Sequence, residues 1–109
     1  MTAKRVVPRR LALRDVEDAI DHYRREAGAD IAIGFIDALE ACYCWIAEHP
    51  ATGSPRYAHE LDLPGLRHRS LSRFPYLVFY IERRDHIDVW RVIDARRDIP
   101  DWLAGSDAP

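Results

Sequence analysis

The chain has 109 residues, 48% of them hydrophobic, and a net charge of −2. That length suits one domain, residues 1–109, whose apolar core needs neither disulfides nor a structural metal. No run approaches the roughly 20 apolar residues of a membrane span, and the start "MTAKRVVPRR" has no apolar stretch of signal-peptide length, so the expected location is the cytoplasm.

In chain order, Lys4 to Val7 reads as a first strand, stopped by Pro8, which cannot donate to a ladder but can open a helix. From Leu13 the apolar residues Val16, Ile20 and Tyr23 recur at helical spacing beside Ala12, Ala19 and Ala27. Asp15, Glu17, Asp18 and Asp21 take the other side and are expected to form a solvated face that favours the helix dipole. Gly28 is the expected C-terminal glycine of this helix and Asp30 the N-cap of the next. In that second helix Ile31, Phe35, Ala38, Leu39, Cys42, Trp45 and Ile46 keep the apolar spacing. Cys42 and Cys44, two apart on it, diverge too far to bond to each other or share a metal, and read as small fillers.

His49-Pro50 closes the helix, and "PATGSPRYAHELDLPG" offers turn residues without periodicity, so a loop is expected there. Three strands follow: "LRHRSLS", "YLVFYIE" and "HIDVWRVI", the last two joined as a hairpin through Arg83-Arg84-Asp85. "DIPDWLAG" suits one closing helical turn and "SDAP" a frayed end. The fold class is therefore α+β: an N-terminal strand, an antiparallel helical hairpin, then a three-stranded antiparallel meander. The helices cover one sheet face, which leaves the other, with Tyr76, Tyr80, Trp90 and Val92 divided between the two, awaiting a partner.

Charge is unevenly spread. From Leu11 to Pro64 eleven acids face four bases, whereas Gly65 to Arg84 holds five arginines against Glu82 alone. Arginine occurs fifteen times and lysine once, and its planar fork suits phosphate or carboxylate. Arg67 and Arg69 share a strand face, Arg73 follows, and Arg91, Arg96 and Arg97 lie on the last strand and its exit, so together they could frame one basic groove for an anionic partner. In the alternative, Arg96 and Arg97 merely pair with Asp94 and Asp98. No Gly-rich phosphate loop, zinc-like Cys or His pair, or Gly-x-Ser-x-Gly elbow is present, and no cofactor or metal is expected. The five histidines are scattered, and only His68, flanked by arginines, is a minor candidate for acid/base work on RNA.

The segments "LALRDVEDAIDHY", "FIDAL", "HPATGSPR", "PGLRHRSLSRFPYLVFY" and "DVWRVIDARRDIP", in this order and spanning about Arg5 to Leu103, resemble the RelE/ParE superfamily of toxins from type II toxin–antitoxin systems, and most closely its ParE branch of plasmid-stabilisation proteins. The resemblance implies the same element order and a cognate ParD-like antitoxin, whose C-terminal segment covers the toxin and whose other half binds operator DNA. It also implies one of two activities: poisoning of DNA gyrase, or RelE-like cleavage of mRNA on the ribosome. For cleavage, Arg67, Arg69 and Arg97 match basic positions of the family. Leu77 stands where an arginine is expected, Trp102 or Leu103 where a tyrosine is, and Asp94 where many relatives have histidine. Two empty roles favour the gyrase reading, with no catalytic residue and with Arg67, Arg69, Arg73, Tyr76, Tyr80, Trp90, Arg91, Arg96, Arg97 and Trp102 as contacts for target or antitoxin. A third reading is a non-toxic regulator that still binds antitoxin.

Overall fold

A computed structural model describes residues 3–104; the "SDAP" tail lies outside the described residues. Strand β1 (Arg5–Pro8) leads into helices α1 (Arg10–Ala27) and α2 (Ala29–Glu48), and a 3-10 turn at Pro50–Thr52 precedes a short helix α3 (Arg56–Glu60). Strands β2 (Leu66–Ser70), β3 (Tyr76–Glu82) and β4 (His86–Asp94) and helix α4 (Ile99–Ala104) complete the order. The sheet runs β1-β4-β3-β2, with β1 parallel to β4 and the other pairs antiparallel. The α+β order expected from the sequence is therefore the one observed, with α3 added.

The helical hairpin turns on one residue. Gly28, at φ 96°, ends α1 by donating its N–H to Arg24 O and starts α2 directly, so Asp30 is a first-turn residue and not the N-cap expected of it. A left-handed φ favours glycine there. Against the inner sides of α1 and α2, the sheet places Val78, Tyr80, Ile87, Val89 and Val92, which meet Ala12, Ala19, Phe35, Leu39, Cys42 and Ile46 in one core. Tyr23, Phe35, Phe74 and Tyr76 close its end with edge-on ring contacts at centroid distances of 5.2–5.6 Å, offset arrangements that suit their quadrupoles.

The opposite face is not bare, which corrects the expectation of an uncovered sheet. Leu66, Phe79, Ile81, Trp90 and Ile93 form a second core with Ile99 and Leu103 of α4, and Tyr57, Ala58, Leu61 and Leu63 from the presumed loop pack on it. The loop thus serves as a third layer, its short helix carrying the apolar residues that a search for long periodic runs passes over.

A β-bulge decides which β4 residue faces which layer. Tyr80 pairs with Val89 and Phe79 with Arg91, so Trp90 is the extra residue. Strict alternation would put Trp90 and Val92 on one face; the bulge sends them to opposite cores.

The strap from α2 to β2 is held by a close backbone approach. The Tyr80 hydroxyl donates to Pro50 O at 2.8 Å and accepts from the Gly53 N–H at 3.1 Å, while Arg67 Nη1 donates to Gly53 O at 2.7 Å. A Cβ at Gly53 would stand 2.9 Å from Tyr80 Cζ and 3.0 Å from Arg67 Cβ, and nearer still to the hydroxyl. Gly53→Ala should cost about 2 kcal/mol in urea unfolding by overpacking. Tyr80→Phe should cost about 1–2 kcal/mol alone and less on the Gly53→Ala background, a coupling read from the double-mutant cycle.

Candidate functional site

The ten residues singled out in the sequence fall into three groups. The first is internal. Tyr80 and Trp90 are buried in the two cores, so neither offers contact area to a partner. Arg91 is buried as well: its Nε and Nη2 donate to the two Asp15 oxygens at 2.7 and 2.8 Å, and its Nη1 donates to Trp102 O at 3.0 Å. Asp15 also accepts the Val92 N–H at 3.0 Å. β1 ends at Pro8 opposite Val89, so beyond that point the outer side of β4 needs another partner, and the first turns of α1 bring one. Asp15 is therefore a structural anchor at 10% side-chain exposure, not part of the solvated acidic face expected of it. Its hydrogen bond, then burial opposing it, then its charge act on Arg91, and the sum holds that guanidinium firmly protonated.

A second buried carboxylate lies at the other end of β4. Asp88 accepts from Arg9 Nε and Nη2, both at 2.9 Å, and from Arg83 Nη2 at 2.9 Å, while Arg9 also lies 4.7 Å over the Trp90 ring. Burial works against the Asp88 charge, but the hydrogen bonds from Arg9 and Arg83 outweigh it and hold the carboxyl below its usual range. Sequence reasoning missed both anchors because partners 76 and 79 positions apart leave no local spacing signal.

The second group faces α2. Arg67 and Arg69 do share a face of β2, yet Arg67 is tied to Gly53 O. Arg69 stacks 4.6 Å over the Trp45 ring, and Trp45, expected in the apolar stripe of α2, is 42% exposed. Arg73 sits exposed in the β2–β3 turn at φ 69°, with Leu71 N–H bonded to Tyr76 O closing the turn around it.

The third group lines a cleft of about 280 Å³ between α1 and the β4 exit, with Asp18 and His22 of α1 on one side and Tyr76, Asp94, Arg96, Arg97 and Trp102 on the other. Arg96 pairs with Asp94 through Nη2 at 2.6 Å, as the ion-pair alternative had it, but Arg97 instead stacks 5.2 Å from the Trp102 ring. Ile99 is buried, so the outward apolar edge here is Pro100 and Trp102. The single basic groove does not form: Arg96 and Arg97 line this cleft, whereas Arg67 and Arg69 line depressions on the β2 side, with β3 between.

The side chains in these places that can carry a proton include His22 and Tyr76 in the cleft and His59 and His68 on the β2 side. His68 is half-buried between Tyr57 and Phe79, its Nδ1 without a partner, and burial, then the Arg56 charge, lower its pKa, so it is neutral at pH 7. Burial, then Tyr23 and Asp94, raises the Tyr76 pKa above its usual value. Leu77 and Trp102 carry no titratable group. The cleft thus presents two arginines, two aromatic rings, a histidine and several carboxylates for binding.

From residue 6 to 99 the chain matches the family model of the ParE toxin of type II toxin–antitoxin systems, parDE. No curated protein matches it. Among solved structures it is similar to a protein described as a chromosomal ParDE toxin–antitoxin system from P. aeruginosa, at 19% identity and a TM-score of 0.72, over 86% of this chain and 98% of that one. At that identity the likeness bears on the fold. With the family model matched over most of its length, the chain belongs to the ParE toxin family.

Asp15→Asn should cost about 3 kcal/mol of unfolding free energy, because it leaves Arg91 buried without its counter-charge, and should speed hydrogen exchange in α4, which Arg91 holds through Trp102 O. The Asp88 anchor has a signature in acid. With its folded pKa depressed, its contribution is complete above the ordinary aspartate value of about 4 and is lost as pH falls through the lower folded value. Urea midpoints measured from pH 5 down to pH 2 should therefore fall less steeply in Asp88→Asn than in the unsubstituted protein.

Proposed function

We propose that this member of the ParE family is a growth-arresting toxin that binds and inhibits DNA gyrase in the cytoplasm, and that a cognate ParD-like antitoxin neutralises it. The antitoxin would also carry the complex to operator DNA, and residues 1–109 would act as one toxin domain. The observation that supports a binding mechanism best is the cleft edge: an Arg97 guanidinium laid against an exposed Trp102 ring, 5.2 Å away, beside a fixed Asp94–Arg96 pair. Arginine and tryptophan at a partly apolar rim are the residue types that dominate protein–protein contacts. The arginines that an mRNA-cleaving site would draw on do not converge: Arg67 is bonded to Gly53 O, on the far side of β3 from Arg97.

The test is to incubate toxin freed from its antitoxin with gyrase, ATP and supercoiled plasmid, then look for protein-linked linear DNA after detergent and protease. Linear DNA that antitoxin abolishes is the expected result. Arg97→Ala and Trp102→Ala should each raise the toxin concentration needed by about tenfold, the loss of roughly 1.4 kcal/mol of contact energy. Growth arrest without gyrase-linked DNA, accompanied by mRNA cut within codons, would overturn the gyrase reading.

A further inference from the structure

We infer that the trough between α2 and the outer edge of β2 is the anchor for the antitoxin, and that it takes an extended segment placing one apolar side chain in the trough and one carboxylate on Arg69. The inference rests on the proposed antitoxin and adds which surface of the toxin it grips and with what chemistry.

The trough holds about 390 Å³ and its floor is made of small apolar groups, Ala38, Ala41 and Cys42, with Leu71 at its side. Trp45 and Arg69 close one end. Among the described residues the Arg69 guanidinium has the Trp45 ring beneath it and no carboxylate or carbonyl, whereas Arg9, Arg83, Arg91 and Arg96 all hold carboxylates. Its charge is felt locally: burial pushes the Cys42 thiol up to about 11, and Arg69 pulls against that shift. A guanidinium held flat on an indole keeps its edge donors free and aimed, which favours a planar carboxylate.

Backbone chemistry points to the same place. His68 uses its outward N–H and C=O on Ser54, at 3.0 and 2.9 Å, so this side of β2 is bridged once. By strand alternation the next outward residue is Ser70, which lines the trough, and no bond from its N–H or C=O extends beyond the sheet among the described residues. An extended segment laid there finds a hydrogen-bonding edge, an apolar pocket and a cation within one short stretch. Nucleic acid fits poorly, because Asp37, Glu40 and Glu48 stand exposed on the same helix and would repel a phosphate backbone, while a single carboxylate needs only Arg69.

The experiment measures the affinity of cognate antitoxin for purified toxin carrying Arg69→Glu or Ala41→Trp, the second at an exposed position where the added ring fills the trough. Each free variant is first checked by circular dichroism and melting temperature. Arg69→Glu should weaken binding at least a hundredfold and Ala41→Trp at least tenfold, and Ala41→Trp should still arrest growth but no longer be rescued by normal antitoxin levels. Replacing one antitoxin acid with arginine should restore binding to Arg69→Glu. Folded variants that bind as tightly as the unsubstituted toxin would overturn the inference and leave the antitoxin reading standing. No binding by the unsubstituted toxin would overturn both.

Discussion

One carboxylate does much of the architectural work. Asp15 takes two hydrogen bonds from Arg91 and a third from the Val92 N–H, at a point where β1 has ended and the edge of β4 would otherwise be open. Helix α1 can lie along that edge because it supplies the acceptor a missing strand would have supplied. Arg91 also donates its Nη1 to Trp102 O, which fixes α4, and α4 in turn covers the second core with Ile99 and Leu103. The arrangement also depends on the bulge at Trp90, since strict pairing would turn the Arg91 side chain toward the other face. A buried pair of this kind contributes little net energy over an apolar replacement, but breaking it leaves an uncompensated charge, so its effect is to make the packing of α1, β4 and α4 all-or-none.

Several arginines at the sheet margins are held by Asp15, Asp88, Asp94 and the Gly53 carbonyl, while Arg69 and Arg97, each laid against an aromatic ring, lie on opposite sides of β3. Each lies against an exposed tryptophan. A guanidinium in that setting is weakly hydrated and already ordered, so a partner that meets it gives up less side-chain entropy than one meeting a free lysine. Two partners meeting these cations would then address different sides of one small protein without competing for the same charge.

Much of the fold was legible in the sequence because its signals are local. The spacing of Val16, Ile20 and Tyr23, the Gly28 break and the alternation in β3 each lie within two helix turns or one strand. Less of the site was legible, for reasons that differ by residue. Arg91 looked like a surface cation because its partner Asp15 is 76 positions away and looked like a dipole-favouring helix acid. Trp90 read as a sheet aromatic awaiting a partner because the cover for its face is split between a five-residue helix and a six-residue one, both too short for periodicity to register, whereas Tyr80 lies in the core under the helical hairpin. Asp30 was a sound N-cap by residue type, but the shared glycine left no residue between the helices for a cap to occupy. Trp45 was expected in the apolar stripe and instead rests under Arg69, a contact that only the β2 register brings about.

The parallel pairing of β1 with β4 bears on how the chain comes to be folded. Arg9 and Asp88 are 79 positions apart, and β1, the strand that needs β4 as its neighbour, is synthesised well before it. Closing so long a loop is entropically unfavourable until the β3–β4 hairpin is in place, so β1 must wait as an unpaired segment while α1 and α2 can already form. The clasp that seats α4 depends on a carbonyl at Trp102, close to the last described residue. A nascent chain therefore lacks both the completed sheet and the Arg97–Trp102 rim until β4 and α4 have emerged, and a product ended before them would be left with an open strand edge in place of a finished toxin surface.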